Sequence, residues 1–90
     1  MTERKNSAEM LEELYEVLLS LPSVEAYREL FADLCTQKEL EQMAQRVRAA
    51  RLLKEGKTYQ QVIAETDISS ATLSRVSRCV QYGEGYRKYL

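Results

Sequence analysis

The sequence of 90 residues predicts an all-α fold with a helix-turn-helix in its second half. Apolar residues recur at spacings of three and four, and no segment alternates apolar and polar residues as a half-buried strand does. Ser, Thr and Asn residues stand where helix N-caps are expected. Only three glycines and one proline interrupt the chain, so long helices can form between them.

Two helices are predicted in the first part of the chain. Asn6 with Glu9 caps the first, and Pro22 ends it because the residue before a proline is driven out of the helical conformation. Ser23 opens the second helix. Their predicted apolar stripes are Met10, Leu11, Leu14, Tyr15, Leu18 and Leu19 in the first helix, and Val24, Tyr27, Leu30, Phe31 and Leu34 in the second.

A longer third helix follows these two. Thr36 and Glu39 have the spacing of a capping box, and Gly56 is placed to end the helix. The apolar stripe predicted for it is Leu40, Met43, Ala44 and Val47.

The stretch from 58 to 75 predicts two short helices joined by a tight turn. Thr58 and Gln61 form a capping box for the first of them. Ser69 caps the second, with Ile68 and Leu73 at the spacing of a hydrophobic staple. The residues between the helices, Thr66 and Asp67, are types that tolerate a left-handed turn.

The second helix of this pair has two distinct faces. Leu73, Val76 and Val80 form its predicted buried stripe. The other side carries small residues and arginines, and no acidic residue occurs between Asp67 and Glu84. Small residues let a helix approach a DNA groove, and arginines contact phosphates or guanine edges. A polar face that is merely solvated is the alternative interpretation.

Double-stranded DNA is therefore the predicted partner of the helix-turn-helix. The predicted DNA-binding residues are Thr58, Gln60, Gln61, Ser69, Ser70, Ala71, Thr72, Ser74, Arg75 and Arg78.

The charge distribution supports this interpretation although the formal net charge is −1. Residues 1–45 hold ten acidic and four basic residues, a balance of −6. Residues 46–90 hold nine basic and four acidic residues, a balance of +5. The positive half thus coincides with the predicted helix-turn-helix.

The composition argues against several other classes of protein. There is no histidine, and no glycine-rich phosphate loop or activated nucleophile, so no enzyme and no metal site are predicted. Cys35 and Cys79 are expected to be buried free thiols. The chain has no apolar run that could cross a membrane and no signal peptide, so we expect a cytoplasmic protein.

A homodimer is expected because the first two helices carry more apolar surface than this small chain can cover. Leu14, Leu18, Phe31 and Leu34 all need a partner surface. The predicted organisation is one domain, 1–90, with a dimerisation part at 7–56, the helix-turn-helix at 58–81 and a tail at 82–90.

Three segments carry a resemblance to a known family: 34–48, 52–58 and 71–79. Together they resemble the Trp repressor superfamily, and they are most similar to the YerC/YecD family of Trp-repressor-related proteins. The stretch 74–83, followed by Gly85 and Tyr86, is the most family-specific part. The resemblance implies an intertwined helical dimer whose two helix-turn-helix units enter successive major grooves of a two-fold symmetric operator.

The resemblance also implies a ligand pocket. Arg46 and Arg75 match the two arginines that hold the indole of tryptophan in Trp repressors, and Thr36 matches a threonine at the edge of the pocket. Val76 stands where Trp repressors have a glycine, and Cys79 where they have a serine. A branched side chain would overlap a bicyclic ring, so L-tryptophan is not expected. No cofactor is predicted, and the binding of a different small-molecule effector is left open.

The predicted function is a sequence-specific transcriptional regulator, most simply a repressor. Gln60 stands where Trp repressors place a base-contacting arginine, so a different operator is expected. The alternative is a helical adaptor that binds another protein through its apolar face or through Tyr82, Tyr86 and Tyr89.

Overall fold

The computed structural model describes residues 4–90, and this part of the chain is all-helical, which confirms the predicted fold class. Its helices are α1 (Ser7–Ser20), α2 (Val24–Leu34), α3 (Gln37–Lys54), α4 (Tyr59–Thr66), α5 (Ser70–Tyr82) and α6 (Gly85–Tyr89). They fall into two compact units, one that contains α1 and α2 and ends at Thr36, and a second, Gln37–Leu90. Within 4–90, no helix is both long and apolar enough to span a membrane.

The helices of the first unit begin at the predicted caps. Asn6 Oδ1 accepts a hydrogen bond from the Glu9 amide at 2.9 Å, and Ser23 caps α2 in the same way. The hydroxyl of Tyr27 on α2 donates to the carbonyl of Leu18 on α1 at 2.8 Å. This bond joins the two helices across the turn that contains Pro22.

The first unit has no buried residue in either helix. Leu14, Leu18 and Phe31 are half-buried, whereas Leu34 is 50% exposed. The large apolar residues exposed on this unit are Met10, Leu11, Tyr15, Val17, Leu19, Val24, Tyr27 and Leu34. The apolar stripes predicted for α1 and α2 therefore do not form a closed core within the first unit.

The core of the second unit lies where α3 packs against α4 and α5. Its buried residues are Ala49, Ala50, Leu52, Val62, Ile68, Leu73 and Val76. From the tail, Tyr86 and Leu90 pack against this cluster, and α6 contacts α5. The contacts group α3 with α4 and α5, whereas the sequence-based division placed it with the first two helices.

The prediction of the buried face of α3 is wrong for this unit. Leu40 and Met43 are half-buried, and Ala44 and Val47 are exposed. Burial instead falls on the C-terminal half of the helix, at Ala49, Ala50 and Leu52. The predicted stripe lies in the first part of α3, but α4 and α5 pack on its C-terminal part, where Ala49 and Ala50 permit close approach.

The end of α3 is set by Gly56, as predicted. The Gly56 amide donates to Leu53 O at 3.0 Å and the Lys57 amide donates to Leu52 O at 3.1 Å, which is the pattern of a Schellman motif. Gly56 has φ of 89°, a left-handed conformation that glycine adopts without steric cost. The chain can therefore turn sharply from α3 into the cap of α4.

Candidate nucleic-acid interface

The first helix of the pair begins at the predicted capping box. Thr58 Oγ1 accepts from the Gln61 amide at 3.2 Å, and Gln61 Oε1 accepts from the Thr58 amide at 2.9 Å. The helix ends at Thr66, and its C-cap Asp67 has φ of 61°, which confirms the predicted left-handed turn. Thr58 and Gln61 were predicted to bind DNA, and both have a structural role in this cap.

The second helix begins at the predicted cap and staple. Ser69 Oγ accepts from the Thr72 amide at 3.2 Å and also donates to Thr72 Oγ1 at 2.9 Å. Ile68 and Leu73 flank this cap, and both are buried in the same core cluster. The hydrogen bonds fix the first turn of α5, and the buried pair fixes the angle at which the chain enters it.

The predicted faces of α5 are separated as expected. Leu73 and Val76 are buried and Val80 packs against the core. The predicted DNA-binding residues other than Thr72 are all exposed: Thr58, Gln60, Gln61, Ser69, Ser70, Ala71, Ser74, Arg75 and Arg78. Thr72 is half-buried. One residue of α5 that the sequence pattern did not single out, Ser77, is also buried.

The two arginines of α5 keep their charge available to a partner. Within residues 4–90, neither Arg75 nor Arg78 forms a salt bridge. They lie three residues apart on one helix, so their side chains are neighbours. The exposed side of α5 is consequently a positive surface with small side chains on its first turns.

Two side chains of α3 reach the end of α4. Gln45 Nε2 donates to Thr66 O at 3.0 Å in a partly buried hydrogen bond. Arg48 Nε donates to the Glu65 carboxylate at 2.8 Å, and this contact raises the pKa of the Arg48 guanidinium. The Arg48–Glu65 pair is about half exposed, so it stabilises the unit only weakly. Neither Gln45 nor Arg48 was predicted as a functional residue.

A cavity of about 350 Å³ lies between α3, α5 and α6. Its walls are Arg46, Thr72, Arg75, Val76, Cys79 and Tyr86. Four of the five residues predicted to form a ligand pocket therefore meet at one place. The fifth, Thr36, belongs to the first unit, and its place at the edge of the pocket stays a prediction. Tyr86 was predicted as a tail residue and as part of the family-specific stretch, but not as a residue of the pocket.

The two cysteines differ in their surroundings. Cys35 is half-buried and Cys79 is exposed, and both are free thiols. The prediction of two buried thiols is therefore wrong for Cys79, which faces the cavity rather than the core. Its position on α5 is one turn beyond Arg75, so the helical period places it beside that arginine.

The fold and this surface define an all-α protein in which α5, the second helix of the pair, presents a positively charged side. The family model for the Trp repressor protein matches residues 9–90. The uncharacterized protein YerC of Bacillus subtilis strain 168 is 47% identical over 73 residues, which cover 81% of this chain and 70% of YerC.

Two solved structures are also similar to this chain. A TrpR-like protein from Eubacterium eligens superposes with a TM-score of 0.85 at 36% identity, covering 89% of this chain and 84% of that one. A Staphylococcus aureus protein, likewise named for the Trp repressor, superposes with a TM-score of 0.83 at 37% identity. The match covers 92% of this chain and 82% of that one. The chain belongs to the Trp repressor family, a family of DNA-binding regulators, and this confirms the predicted resemblance.

Replacing the cap residue Ser69 is expected to destabilise the second unit, whereas replacing its neighbour is not. Ser69→Ala removes the acceptor for the Thr72 amide, and loss of such a cap costs about 1 kcal/mol. Ser70→Ala is the matched control because the Ser70 side chain forms no hydrogen bond with residues 4–90. Urea denaturation measures both; equal free energies of unfolding would contradict the assigned cap.

Proposed function

We propose that this protein is a sequence-specific regulator of transcription that binds double-stranded DNA as a homodimer and acts as a repressor. In this proposal α4 and α5 form the helix-turn-helix, and α5 is the recognition helix in the major groove. The observation that carries the proposal is the exposed side of α5, where Arg75 and Arg78 stand without acidic partners in the described chain.

The residues on α5 suit a major groove, which is about 12 Å wide and admits one helix. Ser70, Ala71 and Ser74 are exposed and small, so they would let the helix backbone approach the bases. Arg75 and Arg78 would then contact phosphates or the O6 and N7 atoms of guanine. The amide side chain of Gln60, exposed on α4, has the donor and acceptor that an adenine edge requires.

The first unit supports the homodimer part of the proposal. Its two helices bury no residue, and eight large apolar side chains on this unit are exposed. An exposed apolar area of this kind marks a protein interface. A second copy of the chain would cover it symmetrically and would present two recognition helices to a two-fold symmetric operator.

The cavity beside α5 supports a further proposal, that L-tryptophan is not its ligand. Val76 forms part of the wall and is only 2% exposed, so its branched side chain is fixed by the core. Its methyl groups would stand where a flat ring must enter between Arg46 and Arg75. The two guanidinium groups would then bind phosphate or support α5, and any effector would be a ligand other than tryptophan.

Removing either arginine of α5 is expected to weaken DNA binding. Arg75→Ala and Arg78→Ala should each lower the affinity for duplex DNA about tenfold and reduce the slope of log K against log salt by about one, because one cation leaves the interface. Arg28→Ala is the control, since it changes net charge equally on α2, where Arg28 pairs with Glu25. Fluorescence anisotropy at several salt concentrations measures these changes.

Two results would contradict the DNA-binding proposal. One is a wild-type protein that retains no duplex at low salt. The other is a set of arginine variants that bind DNA as the control does. Either result would favour the helical adaptor, for which the exposed Tyr82 and Tyr89 offer aromatic surface.

A charge placed on the apolar side of α2 is expected to dissociate the dimer. Sedimentation equilibrium should give twice the mass of one chain for the wild type and the mass of one chain for Leu34→Glu. Ala32→Glu is the matched control, because Ala32 lies off the apolar stripe and the same side chain is introduced. A wild-type monomer at micromolar concentration, or a dimeric Leu34→Glu variant, would argue against this interface.

L-tryptophan is expected to change neither the melting temperature nor the DNA affinity of the wild type. Val76 excludes the indole, so tryptophan does not bind the folded protein and does not stabilise it. A thermal-shift titration measures the melting temperature, with L-alanine as a control for non-specific effects of amino acids. A rise in melting temperature with tryptophan alone would refute the exclusion.

A further inference from the structure

We infer that Gln45 is a positioning residue for the recognition helix. Its side-chain amide holds the end of α4 to α3, and together with the buried Ile68 and Leu73 it sets the angle at which α5 is presented. The functional part of this inference rests on the proposed DNA binding, whereas the positioning itself can be measured without DNA.

The hydrogen bond from Gln45 reaches a partly buried backbone carbonyl at the end of α4. Gln45 Nε2 donates to Thr66 O at 3.0 Å, and Thr66 is the last residue of α4. Carbonyls at the end of a helix have no partner in the helix itself. Gln45 therefore satisfies an acceptor that the turn would otherwise leave to solvent, and it does so from a different helix.

The side chain of Thr66 forms hydrogen bonds on both sides of the turn. Its Oγ1 donates to Val62 O at 2.7 Å within α4 and accepts from the Ile68 amide at 3.3 Å just before α5. The intervening Asp67 is left-handed with φ of 61°. Aspartate tolerates that conformation better than most residues with a Cβ atom, and hydrogen bonds on both sides of it hold the turn in shape.

Gln45 contacts the end of α4, whereas the packing of apolar side chains holds the start of α5 through the buried Ile68. Gln45 belongs to the walls of two surface grooves, one shared with Asp67 and Ser69, the other with Glu65 and Thr66. The core contacts begin at Ile68, just before α5, and continue along the helix at Leu73 and Val76. These residues hold α5, and the Gln45 hydrogen bond holds the other side of the turn, at the end of α4.

Three substitutions separate this role from general stability. Gln45→Met keeps the length of the side chain and removes the donor. Gln45→Lys restores a donor. Gln42→Met is the matched control, because Gln42 lies one turn earlier on α3 and forms no hydrogen bond within residues 4–90.

Amide hydrogen exchange of the protein without DNA is the first measurement. We expect faster exchange at Ile68 in Gln45→Met, restored protection in Gln45→Lys, and wild-type exchange in Gln42→Met. Unchanged exchange in Gln45→Met would overturn the inference. So would global unfolding of both Gln45 variants, because the restored donor would then have no effect.

Discrimination between a selected operator and random duplex is the second measurement. We expect Gln45→Met to lower the ratio of operator affinity to random-duplex affinity about fivefold, which is the factor for one ordinary hydrogen bond. The salt slope should not change, because no cation is lost. Gln45→Lys should recover the ratio. If Gln45→Met altered amide exchange but left the affinity ratio unchanged, the role of Gln45 in presenting α5 would be overturned. Absence of any DNA binding by the wild type would instead count against the proposed function, and hydrogen exchange would still decide the positioning.

Discussion

The packing of the helix pair against two alanines of α3 is the contact on which the second unit depends. Ala49 and Ala50 are both fully buried, and they leave room for α4 and α5 to approach the backbone of α3. Val62, Leu73 and Val76 fill the space around them. A larger side chain at either alanine would push α4 and α5 away from α3 or adopt a strained rotamer, because a close-packed core has little room to adjust. The buried face of α5, and therefore its exposed face, follows from this contact.

A core of seven buried residues is small, so polar contacts determine much of the local shape. The capping box at Thr58 and the cap at Ser69 fix where α4 and α5 begin, and Gln45 ties the turn between them to α3. In contrast, Arg75 and Arg78 contribute no ion pair to the described chain. The unit thus separates residues that build the helix pair from residues that are available to a partner, although both kinds occur in the same short segment.

Local features were predictable from the sequence, and features that depend on distant contacts were not. The caps at Asn6, Ser23, Thr58 and Ser69 depend on residues three positions apart, and all four were found as predicted. The buried side of α3 was missed because alanine gives a weak apolar signal and burial there depends on α4 and α5. The hydrogen bond of Gln45 spans 21 residues, and the place of Tyr86 in the cavity depends on how the tail folds back. No local pattern encodes either contact. Cys79 was misjudged because its place on α5 points it into that cavity.

We propose that the exposed side of α5 recognises a defined DNA sequence as part of a two-fold assembly. In vitro selection from a random duplex library tests it most directly, with the Arg75→Ala, Arg78→Ala double variant run in parallel. We expect the wild type to enrich a motif whose two halves are related by a two-fold axis, with centres about one helical turn apart or a multiple of it. The double variant should enrich none. A library that stays random with the wild type, or one that converges on the same motif with both proteins, would rule out recognition through this side of α5.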